Sequence, residues 1–170
     1  MAEQARRQSL ASVALIHRRL NGRMEWLARW NRNWRCYYFV GGHKHDGETF
    51  LDCLVREIRE ELGIEQERDY RVASAPLARL EYTAYSRSAK ADTDYTLELY
   101  DVRPRTDYTL ELFDVRLAGA LEHVGNDSEQ AVRWLAEDEI RAGQCRDGRP
   151  VSETMLRVLD RIGWEIPQGD

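Results

Sequence analysis

The spacing of apolar residues changes at residue 49, from short strand-like runs to a helical repeat. Before that point, residues 12–18 and 24–31 are rich in Val, Ile, Leu and Trp and are separated by Asn21-Gly22, a dipeptide that favours a tight primed turn. They predict two paired strands. Residues 37–40 form another apolar run, closed by Gly41-Gly42, where the backbone can turn sharply or approach a ligand closely. From Thr49 onward, Phe50, Leu54, Ile58 and Leu62 recur every four residues, with Leu51 and Val55 beside them. Thr49 and Asp52 have capping-box spacing, with Asp in place of the usual Glu or Gln, and Gly63 is a natural stop, so both helix ends are marked.

Residues 70–85 read as strand broken by Pro76, and two more strand-like arms follow. Residues 132–135 read as a last strand, followed by a short helix over Glu137–Ala142 and an amphipathic helix near 152–162. This order predicts an α/β fold, a mixed β-sheet flanked by helices. The two arms are copies of one another. Residues 93–103 read TDYTLELYDVR and residues 106–116 read TDYTLELFDVR, differing only at Tyr100 against Phe113, which marks a tandem duplication and not a solenoid. Two arrangements follow from it. If the copies fold back about Pro104-Arg105, Leu99 faces Leu110 and Leu97 faces Leu112, at the cost of Glu98 facing Glu111. That enlarged hairpin would extend the sheet or reach a second subunit in a homodimer. Otherwise one copy fills a sheet strand and the other is extruded.

Length and charge narrow the picture. Residues 1–170 are enough for one domain, and an apolar fraction of 42% supports one sizeable core. A net charge of −5, with arginines interleaved among acids, gives no basic stripe of the kind that tracks a nucleic acid. Cys36, Cys53 and Cys145 are far apart and lack CxxC spacing, as expected of reduced thiols in a cytoplasmic protein. Arg6-Arg7 is a weak lookalike of a twin-arginine signal. The apolar run at 13–16 is too short for a signal core and is closed by His17-Arg18-Arg19, so neither a leader nor a membrane partner is expected.

The chemistry is concentrated in residues 42–64, GHKHDGETFLDCLVREIREELGI. On a helical wheel Glu57 and Glu61 lie nearly over one another at the edge of the Phe50, Leu54 and Ile58 stripe, while Glu60 lies further round toward solvent. Two carboxylates one turn apart repel, and more so as water is withdrawn. Arg56 and Arg59 can balance them as a solvated, ion-paired helix face. The other reading is a hard divalent cation, Mg²⁺ or Mn²⁺, held by a few carboxylate oxygens, water and substrate phosphates.

The segment resembles the signature of the Nudix, or MutT-like, family, G-x5-E-x7-R-E-U-x-E-E-x-G-U with U aliphatic. Gly42, Glu48, Arg56, Glu57, Ile58, Glu60, Glu61, Gly63 and Ile64 match every fixed position. The resemblance implies a Nudix α/β/α sandwich and Mg²⁺- or Mn²⁺-dependent hydrolysis of the diphosphate linkage in a small nucleotide-like metabolite, such as a dinucleoside polyphosphate. It implies Glu57, Glu61, Glu60 and the Gly41 carbonyl as metal ligands, with Arg56 and Glu48 orienting the carboxylates. Glu61 and Glu60 lead as general base, and Glu98, Glu111 and Glu122 are outside candidates. The family also contains non-catalytic nucleotide-binding modules, which usually lack one or more of these glutamates, and an isomerase.

Substrate clues lie on both sides of the box. Trp26, Trp30, Trp34, Tyr37 and Tyr38 offer stacking faces or core packing. Arg29, Arg32 and Arg35 offer phosphate contacts or ordinary solvation, and His43 and His45 read as phosphate or solvent contacts. Pro76 lies closer to the box than the proline of ADP-ribose hydrolases. Tyr82 stands about where dinucleoside polyphosphate hydrolases tend to carry a tyrosine.

Overall fold

The computed structural model describes residues 6–105 and 132–166. Its strands are β1 (Arg7–Leu20), β2 (Arg23–Asn31), β3 (Cys36–Phe39), β4 (Gly41–His43), β5 (Tyr70–Val72), β6 (Ala78–Ser86), β7 (Ala91–Pro104) and β8 (Val132–Ala136). The helices are α1 (Phe50–Leu62), α2 (Glu137–Ala142) and α3 (Glu153–Ile162). β1 organises the sheet. Its first ten residues run parallel to β7, from Arg7 opposite Thr93 to Ile16 opposite Val102, and its end pairs antiparallel with β2. The remaining strand pairs are antiparallel, so the sheet is mixed.

Local sequence rules account for the joints. Asn21 and Gly22 both have positive φ, 50° and 77°, as a primed hairpin turn requires. Thr49 caps α1 through a reciprocal pair of bonds. The Asp52 N–H donates to Thr49 Oγ1 (3.0 Å) and the Thr49 N–H donates to Asp52 Oδ2 (3.1 Å). Gly63 closes the helix in the left-handed conformation at φ 68°. β1 begins five residues before its apolar run, because pairing with β7 extends it through residues 7–11, a mixed segment with no strand signal of its own.

Alternation along the central strands divides the core in two. Ala14 and Ile16 of β1, with Tyr100 and Val102 of β7, pack against Leu54, Ile58 and Leu62 of α1. Val13 and Leu15, with Leu97 and Leu99, pack on the other face against Ile140 of α2 and Met155, Val158 and Leu159 of α3. The result is an α/β/α sandwich, as expected. Residues 70–85 resolve into β5 and β6, both laid against β7 with Pro76 between them, where its missing N–H costs no ladder bond.

The enlarged hairpin proves wrong. The first copy of the duplication is β7, and both its edges are taken: Leu97 and Leu99 face Ala11 and Val13 of β1 on one side and Leu80 and Ala78 of β6 on the other. No edge remains there for Leu110 and Leu112. The second copy itself, residues 106–116, lies outside the described residues.

Deleting residues 93–105 places the second copy in register with the β7 slot, changing only Tyr100 to Phe within the repeated eleven residues. The Tyr100 hydroxyl donates to Glu98 Oε2 at 2.7 Å. Its loss is worth about 1 kcal/mol. The shortened protein is expected to fold, with a Tm lower by about 2–4 °C. Thermal unfolding followed by circular dichroism checks this, and an unfolded deletion product would show that the slot demands more than the strand sequence.

Candidate functional site

Helix α1 runs past the Gly41-Gly42 backbone, and its carboxylates converge there. Glu57 and Glu61 retain 14% and 9% side-chain exposure, against 55% for Glu60, which matches their order around the helix. The fit is tight at both glycines. A Cβ on Gly42 would lie 2.4 Å from the Glu57 carboxyl carbon, and one on Gly41 would lie 2.1 Å from the Ser12 carbonyl oxygen. A side chain at Gly41 would drive the turn off the β1 backbone, and one at Gly42 would displace the Glu57 carboxylate.

Two arginines neutralise the pair from opposite sides. Arg56 is the hub of one cluster. Its Nε and Nη2 donate to the two oxygens of Glu48 (2.6 and 3.1 Å), its Nη1 to Glu57 Oε1 (2.6 Å) and Glu60 Oε2 (3.3 Å), and its Nη2 also to the His43 carbonyl (3.1 Å). This fork-to-fork pairing holds the Glu48 carboxyl down at about 2, helped by the His45 N–H. Arg29 of β2 serves the other side. Its Nη1 donates to Glu61 Oε1 (2.9 Å) and to the Tyr38 hydroxyl (3.1 Å), and that hydroxyl donates to Glu61 Oε1 (2.7 Å). The Gly41 N–H reaches Glu61 Oε2 at 3.3 Å. Burial nevertheless pushes the Glu61 carboxyl above its ordinary range, and burial together with the Glu61 charge pushes the Tyr38 hydroxyl well up.

Among the described residues, no group of three or more His, Cys, Asp or Glu side chains is gathered closely enough to enclose an ion. The donors available are carboxylate and backbone oxygens, hard and few. They fit Mg²⁺ or Mn²⁺, which bind through one or two carboxylates and keep much of their own water, and do not fit a closed cage of soft ligands.

Other predicted site residues fall in varied places. His43 Nδ1 lies 3.0 Å from Ser9 Oγ, and burial beside Arg7 pushes its imidazole down. His45 is exposed, 3.8 Å from Glu48. Glu98 faces Ser12 and Arg79 across the sheet and accepts from Tyr100. Glu111 and Glu122 lie outside the described residues. Tyr82 packs with the core under α3, stacked on Tyr95 at 5.1 Å and capped by Arg157. It stands on the face of the sheet opposite α1. The aromatic cluster divides: Trp26, Trp30 and Tyr37 are buried, whereas Trp34 and Tyr38 lie on the α1 side of the β2–β3 turn. The Arg29–Tyr38 grip on Glu61 escaped the sequence reading. Its trace was there, since Arg29 and Tyr38 face each other in the β2–β3 register while their apolar neighbours Trp30 and Tyr37 form the adjacent pair on the other face.

Replacing Arg56 with Ala removes the shared partner of three carboxylates, and Lys cannot restore the fork. Arg56→Ala is expected to lower the Tm of the metal-free protein by several degrees, roughly 2–4 °C per kcal/mol lost, with Arg56→Lys recovering less than half. Equal melting of all three proteins would show the cluster to be ornamental.

The sequence model for the family described as NUDIX domain matches residues 6–159. No curated protein matches the chain. Among solved structures, a C. elegans Ap4A hydrolase is 16% identical and aligns over 92% of this chain and 96% of its own, with a TM-score of 0.55. NrtR of Shewanella oneidensis is 12% identical over 91% and 62%, with a TM-score of 0.56. The E. coli ORF135 protein is 14% identical over 94% and 91%, with a TM-score of 0.51. At these identities the likeness is one of fold.

Proposed function

The chain belongs to the Nudix family, and from that premise we propose that it hydrolyses the diphosphate linkage of a small nucleotide-like metabolite with Mg²⁺ or Mn²⁺ as cofactor. The observation that carries the reading is the pairing of Glu57 and Glu61, both largely withdrawn from water, against a backbone of two glycines. Like charges held in this way are stabilised by a cation, and an anhydride brings the complementary negative charge.

The ligands proposed are Glu57, Glu61 and the Gly41 carbonyl, with Glu60 joining directly or through water. When bound, the ion supplies the positive charge that draws in the diphosphate and acidifies the attacking water. Arg56 holds Glu57 and Glu60 from behind, and Glu48 fixes Arg56 through both of its oxygens. Tyr38, Arg29 and the Gly41 N–H together fix the carboxylate of Glu61. Glu60 accepts a single bond from Arg56 and is more than half exposed, which suits it to take the proton from water. The rival reading, a nucleotide-binding module without catalysis, is disfavoured by the intact glutamate set.

A panel of dinucleoside polyphosphates, ADP-ribose, nucleotide sugars and nucleoside triphosphates, assayed with and without Mg²⁺, tests the reading. At least one is expected to be cleaved only with metal, and Glu61→Gln is expected to lower kcat/KM by a factor of roughly 100 or more, the scale of losing transition-state charge stabilisation. Gly42→Ala is expected to displace Glu57 and weaken Mn²⁺ binding, measured by titration calorimetry. Binding of these compounds without turnover of any would favour the non-catalytic rival.

A further inference from the structure

Trp34 stays out in the solvent, 52% exposed, while Trp26 and Trp30 of the same hairpin are buried at 0% and 6%. It is not a loose end. Its backbone N–H donates to Asn31 Oδ1 at 2.9 Å, and its ring lies 5.5 Å from that of Tyr38 at an angle of 68°. The Tyr38 hydroxyl in turn touches Glu61. One tyrosine side chain therefore links the indole to the Glu61 carboxylate.

An edge-to-face contact uses at most one face of the indole and leaves the other open. A held, half-exposed aromatic face beside an anion-handling site has the properties of a stacking platform. Arg32 and Arg35 stand exposed in the same turn and make its surroundings positive, which suits a ligand carrying phosphates.

We infer that Trp34, steadied by Tyr38, stacks the base of a nucleoside diphosphate group whose phosphates lie toward Glu57 and Glu61. The inference rests on the hydrolase reading for the position of the phosphates. It adds the residue that holds the base. Stacking tolerates every base, so Trp34 selects for the presence of a base more than for its identity.

Calorimetric titration with Mg²⁺ present separates the two ideas, using the non-hydrolysable α,β-methylene analogue of ADP and, as the same anion without nucleoside, methylenediphosphonate. The wild-type protein is expected to bind the ADP analogue more tightly than methylenediphosphonate. Trp34→Ala is expected to weaken the ADP analogue by ~10-fold and leave methylenediphosphonate unchanged, with Trp34→Phe retaining most of the affinity. Unchanged affinity of Trp34→Ala for the ADP analogue, or equal loss for both ligands, would overturn the stacking role. Methylenediphosphonate binding no weaker than the ADP analogue in the wild type would also overturn it while sparing the hydrolase reading. Failure of the wild type to bind either ligand would bring down both.

Discussion

Two carboxylates one helical turn apart, at the margin of a packed core, set the terms for everything around them. Glu57 and Glu61 have lost most of their water, so each needs a cation or donor within reach, and α1 alone cannot supply both. Arg56 comes from the same helix and leans back toward Glu57. Arg29 comes from a strand more than thirty residues earlier and meets Glu61 across the gap between sheet and helix. The site is thus built from one local and one long-range neutralisation, and the second exists only because β2 and β3 are paired in a particular register.

That dependence explains why the surrounding backbone is so constrained. β4 is three residues long and pairs with the middle of β1, which brings Gly41 and Gly42 under α1. The Cys53 thiol donates to the Gly42 carbonyl at 3.3 Å and the Ser12 hydroxyl to the Phe50 carbonyl at 2.5 Å, so turn, helix and β1 are tied together beside the carboxylates. Gly41 is needed both for its φ of 151° and for its approach to β1, whereas Gly42 serves proximity alone. At Gly42 the obstacle to a side chain is the Glu57 carboxylate itself, the group the turn has to approach.

What the sequence made legible was local. The caps of α1, the Asn21-Gly22 hairpin, the order of Glu57, Glu61 and Glu60 around the helix, and the family signature all depend on residues a few positions apart, where spacing fixes geometry. What it concealed was set by pairing between distant segments. The extension of β1 to Arg7, the Arg29–Tyr38 grip on Glu61 and the side of the sheet on which Tyr82 lies all follow from strand register, and a shift of one residue would reverse each of them. The roles of the glutamates came from resemblance, and geometry adds their neighbours and exposure.

The duplication shows the same distinction at the scale of a whole strand. The apolar ladder between the two copies requires a strand with a free edge. β7 is enclosed by β1 on one side and by β6 and β5 on the other, and a copy of an enclosed strand has nothing to pair with beside its original. The thirteen-residue offset between the copies lengthens the chain between the end of β7 at Pro104 and the start of β8 at Val132, and doubling the length of a connection costs only about 0.6 kcal/mol of closure entropy. Gly41, Gly42, Glu48, Arg56, Glu57, Glu60 and Glu61 all lie ahead of the insertion, on β4, α1 and the link between them. Duplicating a central strand leaves the slot filled by the first copy and the site untouched, which is how a chain can carry so recent-looking a repeat through its middle and keep every fixed position of its signature.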